Sequence, residues 1–219
     1  MQKRIAVILV LMAFTSAYAR AGSPQVRLSY AEIFDRVCAR ETKVSVDEKW
    51  RTELEIRLPE FQTAWEQSGT ELLNTASTVV GKKFSEGEFS VALTLCSFPS
   101  MSNPLLINMR YALASFTEQP IPLDVTVSTI FHEILHRYLN DKIPEHSKLL
   151  KKYSTESETV LSHLHLFALQ KAVYLKLKQE DLLQKVITKD RTLPNGSYKR
   201  AWEIVNDLED YHSFIQELQ

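Results

Sequence analysis

Apolar positions along the chain change period twice, and each change marks a new kind of element. From Leu28 to Arg40, and again from Val46 to Val80, apolar residues recur every three or four positions (Leu54, Ile56, Leu58, Phe61, Trp65, Leu72, Leu73), the spacing of amphipathic helices. Pro59 falls inside the second run. Proline lacks an amide donor and clashes with the preceding turn, so the pattern predicts two helices there. The segments KKFSEGEFSVALTLCSF and PLLINMRYALASF are rich in β-branched and aromatic residues and are bounded by turn-forming SEG and PSMSNP, which predicts strands.

Helical spacing returns after Pro120 and Pro122. Asp124 reads as the N-cap of a helix over VTVSTIFHEILHRYLN, stopped by Asn140-Asp141 and Pro144. A second long helix is expected from Glu156 to Leu177, opened by the capping-box pattern at Thr155-Glu156-Ser157-Glu158. A loop containing LPNGSY leads to a final helix over Trp202 to Leu218. Helices, then strands, then helices predict an α+β domain, mostly helical, with a small sheet ahead of the helix that carries FHEILHRYL.

The first residues stand apart from this pattern. Lys3 and Arg4 precede the ten-residue apolar run IAVILVLMAF, and small residues follow at Ala17 and Ala19. That order is expected of a secretory signal peptide over residues 1–19, since a membrane span needs about 20 apolar residues. The remaining 200 residues, 20–219, suit a single domain. Removing Lys3 and Arg4 takes the formal charge from −1 to −3, too near neutral to argue for nucleic acid or an anionic membrane surface as partner. A secreted or periplasmic location also makes a Cys38–Cys96 disulfide the expectation, contributing about 3–4 kcal/mol through so long a loop.

The chemistry sits in His132-Glu133-Ile134-Leu135-His136. With six His and nineteen Glu in 219 residues, chance supplies about 0.014 such H-E-x-x-H patterns. At about 100° per residue, His136, Thr129 and Glu133 lie within about 100° of His132, whereas Ile130, Ile134, Val127, Tyr138, Phe131 and Leu135 fall between about 160° and 300°. One face can dock in a core while the other presents two imidazoles one turn apart. Histidines at i and i+4 can share one tetrahedral cation, and Glu133, set to the side, can hold a water as general base. Five of the six histidines lie between residues 132 and 165, which gathers candidate ligands near the motif.

On these residues the chain resembles the zincin metallopeptidases. The resemblance spans residues 85–175, with only the five-residue motif specific. It implies zinc held by His132 and His136, Glu133 as general base and acid, a peptide or protein substrate, and an edge strand that holds the substrate extended. SVALTLC or LLINMRY would be that strand. The chain departs from the pattern in lacking a Gly and third His just after the motif, as in metzincins, and an Asn-Glu-x-x-x-Asp element, as in thermolysin-like members. A degenerate zincin serving as a non-catalytic metal-binding or protein-interaction module is the alternative.

Those departures leave the third ligand open. In the second helix Glu156 and His163 share one flank of the apolar stripe, and Glu158 and His165 share the other. Either pair could supply a ligand and its supporting partner. We rank His163 first and His165 second, then Glu158 and His146. Tyr153, Tyr174 and Tyr198 are candidates for stabilising an oxyanion. Nothing in the sequence specifies an oligomeric state or a cleavage preference.

Overall fold

The chain folds as an α+β domain whose first described element is a strand rather than a helix. The computed structural model describes residues 23–219, so the expected signal peptide lies outside the described residues. Gln25–Tyr30 form β1, with Val26 and Leu28 buried and Gln25, Arg27 and Ser29 exposed. That two-residue alternation overrides the helical spacing expected from Leu28, and α1 begins only at Glu32 (Glu32–Thr42).

Helix α2 (Glu48–Val80) runs unbroken through Pro59, against the expectation of two helices. Leu54 before the proline and Phe61, Trp65, Leu72 and Leu73 after it are all buried in one core, so packing outweighs the single lost hydrogen bond. Arg57 spans the proline turn, its guanidinium 3.2 Å from Glu53 and 2.7 Å from Glu60.

The sheet contains β2 (Glu88–Thr94), β3 (Met101–Ser102) and β4 (Leu105–Asn108) in the order β1-β2-β4-β3. β1, β2 and β4 are parallel and β3 is antiparallel to β4. The parallel β1–β2 pair requires a long crossover, which α1 and α2 supply. Neither SVALTLC nor LLINMRY is an edge: β2 lies between β1 and β4, and β4 is covered by β3. The outer side of β1 is closed by Gln62 of α2. Its carboxamide accepts from Leu28 N at 2.9 Å and donates to Val26 O at 3.2 Å, as a neighbouring strand would.

Helix α3 (Leu123–Leu139) carries the motif and packs on α2, β3 and β4. Pro122 occupies the cap position, and Asp124 lies in the first turn, where its charge favours the helix dipole. After the short α4 (Lys148–Lys152) comes α5 (Glu158–Lys176), capped by Ser157, whose Oγ accepts from Val160 N. α5 packs against α2 and α3 on one side. On the other it meets α6 (Glu180–Arg191), α7 (Ser197–Glu203) and α8 (Tyr211–Leu218). The expected final helix is thus two helices, separated by a π-helical turn over Ile204–Leu208 and restarted by Asp210. α6 follows from Leu183, Val186 and Ile187, buried at i, i+3, i+4 spacing.

Cys38 and Cys96 are joined, tying α1 to the end of β2. The adjoining Asp35 carboxylate is buried and accepts from Leu95 N at 2.9 Å and from the Thr94 hydroxyl. No described helix is long and apolar enough to cross a membrane.

Gly69 offers a test of packing against propensity. A Cβ there would lie 2.4 Å from the ring of Trp65, itself buried. Alanine would gain about 1 kcal/mol of helix propensity, but displacing a packed indole costs about 1–3 kcal/mol. Gly69→Ala is therefore expected to lower stability by about 1 kcal/mol in denaturant titration, the opposite of its effect in an exposed helix.

Candidate metal centre

His132 and His136 leave α3 one turn apart and meet His163 from α5. One nitrogen from each ring lies within 4.8 Å of the others, and His136 Nε2 stands 3.3 Å from His163 Nε2. Ring centroids are 4.9 Å apart for His132 and His136, 5.2 Å for His132 and His163, and 4.7 Å for His136 and His163. The interface that brings them together is polar as well as apolar. Ser128 of α3 accepts from Tyr174 OH at 2.6 Å and from Gln170 Nε2 at 3.1 Å, both on α5. These bonds fix the rotation of one helix against the other.

The tautomer of His163 follows from its neighbour. Thr159 O lies 2.6 Å from Nδ1, and since a carbonyl can only accept, Nδ1 carries the proton. The Nε2 lone pair is thereby turned toward the cluster, as metal-binding imidazoles are commonly oriented. His132 Nε2 is buried without a hydrogen-bond partner. Such a group costs about 1–3 kcal/mol unless something meets it, and a cation held by three imidazoles would.

Burial lowers the pKa of all three histidines. His132 is held well below its ordinary value by burial and then by the nearby His136 and His163. His136 falls from 6.5 to about 4 by burial and by His163, and burial also lowers His163. Neutral imidazole is the form that binds metal, so the cluster is in its ligating state at neutral pH. Burial acts oppositely on Glu133, pushing its carboxyl up from 4.5 to about 7 against the pull of Lys189. Its side chain makes no hydrogen bond among the described residues. It opens, with His132, into a cavity of about 480 Å³ between the sheet end and α3, α5 and α6. The walls include Ser100, just before β3, and Asn108, the last residue of β4, together with Gln170, Lys189 and Tyr198.

The remaining candidates go elsewhere. His165 does not join the cluster, and its expected role as a ligand is corrected: two residues along a helix is about 200°, which turns its ring away from α3. It is fully buried against Phe214, with Nε2 2.9 Å from Glu217 Oε2. Glu217 also accepts from Ser147 Oγ, Lys148 N and Leu149 N, so His165 helps tie α5 to α4 and α8. Glu156 is paired with Arg200 at 2.7 Å, and Glu158 and His146 are exposed. Of the tyrosines, Tyr153 bonds Glu209 and Tyr174 bonds Ser128. Tyr198 alone reaches the centre, its ring 4.3 Å from His163 and 5.8 Å from His132. Sequence reasoning missed Gln170 and Lys189. Gln170 lies seven residues after His163, on the same face of α5, a usable signal; Lys189 lies on a helix not read at all.

Compared with known proteins, the chain matches no family model, no curated protein and no solved structure.

Two outcomes are expected from this geometry. In elemental analysis of purified protein, His163→Ala should lose the bound metal while His165→Ala retains it. In the metal-free protein His136 binds fewer protons folded than unfolded between pH 6.5 and about 4, because burial depresses its pKa. Its contribution to stability is therefore full above pH 6.5 and falls with acidification by about 3 kcal/mol, while Glu133, raised from 4.5 to about 7, acts in the opposite sense over the same range. The His136 contribution is read as the difference between thermal melts of metal-free wild type and His136→Gln, which should shift in favour of wild type as pH rises from about 4 to 6.5.

Proposed function

We propose that the chain is an exported zinc-dependent peptidase, with His132, His136 and His163 as metal ligands and Glu133 as general base and acid. The observation that carries this reading is the Glu133 carboxylate, buried, without a protein partner, and facing a substrate-sized cavity beside three neutral imidazoles. A site of three nitrogen donors with an open side suits a catalytic zinc. Zinc bound there would supply a Lewis acid that lowers the pKa of water toward ~7 and polarises a carbonyl oxygen. Export is supported by the Cys38–Cys96 bridge and the signal-like first nineteen residues.

Each side chain then has a stated task. Glu133, with its pKa raised to about 7, takes a proton from the attacking water and returns it to the leaving amine. Tyr198 stays protonated because burial, then the nearby Glu133 and Asp190, push its pKa up. Its hydroxyl is a donor for the oxyanion of the tetrahedral intermediate. β3 is the terminal strand of the described sheet and directly follows the cavity residues Pro99 and Ser100, so an extended peptide could add beside it.

Glu133→Gln should retain zinc yet lower turnover by about 10²–10⁴-fold. Tyr198→Phe should lower kcat by about 10²-fold with little change in KM. Both are read from a broad peptide-library digest with and without chelator. Undiminished hydrolysis by Glu133→Gln would sink the mechanism. A wild type that holds zinc but cleaves nothing would leave a metal-binding module in its place.

A further inference from the structure

The cavity beside Glu133 is mostly apolar, walled by Ile121, Val186, Leu193 and Tyr111, yet one wall carries an ammonium group. Among the described residues that line it, Lys189 is the only Lys or Arg. Its Nζ donates to Thr129 Oγ1 at 3.2 Å, and Thr129 Oγ1 is itself anchored by donating to Val125 O at 3.1 Å. The ammonium is thus fixed to the helix that carries His132 and Glu133. An ammonium has three protons, and its remaining partner, Asp190 Oδ1, stands 3.6 Å away.

Two carboxylates share the cavity with it. Asp190 is turned inward: its side chain is 4% exposed against 30% for Lys189, and its Oδ2 accepts from Trp202 Nε1 at 3.0 Å. A ligand entering the cavity therefore meets the ammonium before the aspartate. Glu133 belongs to the proposed metal centre, where a bound cation would offset it. An apolar cavity also weakens solvent screening, so a single accessible charge discriminates strongly among ligands.

We infer that this cavity is a carboxylate subsite read by Lys189, so that the proposed peptidase cleaves next to a residue bearing a free carboxylate. The inference rests on the hydrolase reading for its cleavage step, but not for the binding step. Two sources offer that chemistry: an Asp or Glu side chain within the substrate, or the α-carboxylate of a substrate's last residue. A basic side chain is disfavoured because it would meet Lys189, and a neutral one would offer the ammonium no opposite charge.

The test uses the full zinc-loaded chain and paired peptides. One pair has an amidated C-terminus and differs only in Glu against Gln beside the scissile bond. The other carries Leu at that position and differs only in a free against an amidated C-terminus. The expected result is at least a tenfold kcat/KM preference for the carboxylate member of one pair, and which pair shows it identifies the source. Lys189→Met should reduce that preference to within about twofold, and Lys189→Arg should largely restore it, with zinc content and melting temperature unaltered in both. Equal cleavage of both pairs by wild type, a preference for Lys or Arg substrates, or a preference that survives Lys189→Met would overturn the inference.

A wild type that binds zinc and cleaves nothing removes the peptidase reading alone. The subsite is then tested by ligand-observed NMR with N-acetylglutamate and N-acetylglutamine. Tighter binding of the glutamate, weakened at least tenfold by Lys189→Met, supports it. Equal binding of the two overturns it.

Discussion

The mutual burial of His132, His136, His163 and Glu133 is the constraint around which the α3–α5 interface is organised. In an ordinary helix–helix contact these positions would hold apolar side chains, as Ile134, Leu164 and Phe167 do around them. Instead, burial forces the imidazoles neutral and drives the carboxylate toward protonation. It also leaves His132 Nε2 without a partner. A structure keeps such groups together only if something meets them, and one cation satisfies three lone pairs at once. The same desolvation that destabilises the metal-free cluster is what makes its nitrogens available.

The rest of the fold limits how that cluster can relax. α2 and the sheet hold α3 from one side, and α6, α7 and α8 hold α5 from the other. Within the interface, Ser128 joins Gln170 and Tyr174, and His163 is locked by Thr159 of its own helix. Behind them Phe167 and Trp202 stack at 4.2 Å, and Trp202 in turn bonds Asp190 beside Lys189. The histidine cluster and the cavity wall therefore share supports. The positioning of Lys189 depends on the packing that orients His163.

What could be read in the sequence divides along the same line. His132, Glu133 and His136 were legible because their geometry is local: a helix fixes where i, i+1 and i+4 point whatever surrounds it. The choice between His163 and His165 was not, because both lie on α5 and only the docking of α3 and α8 decides which flank faces His132 and His136. β1 was hidden because Leu28 fits a two-residue period with Val26 as readily as a helical one with the residues after it. Pro59 misled for a related reason. Local chemistry argues for a break, and the core contacts on both sides of it belong to tertiary structure. The α+β class survived these errors because it depends on the order of elements and not on their ends.

Three neutral ligands have an electrostatic consequence that a carboxylate ligand would not. They would leave the full charge of a bound dication in place, with Glu133 as an anion beside it rather than one of its ligands. A pKa pushed up to about 7 by burial would be drawn down again by that charge, returning the carboxylate to the ionised form a general base requires. Burial and a bound cation would thus oppose each other at Glu133, while at the histidines both would favour the neutral, ligating form. This asymmetry explains why the carboxylate can be kept beside the ligands without becoming one. In the proposed reaction its task is proton transfer, which needs a group poised between its two states, whereas the imidazoles need to stay in one.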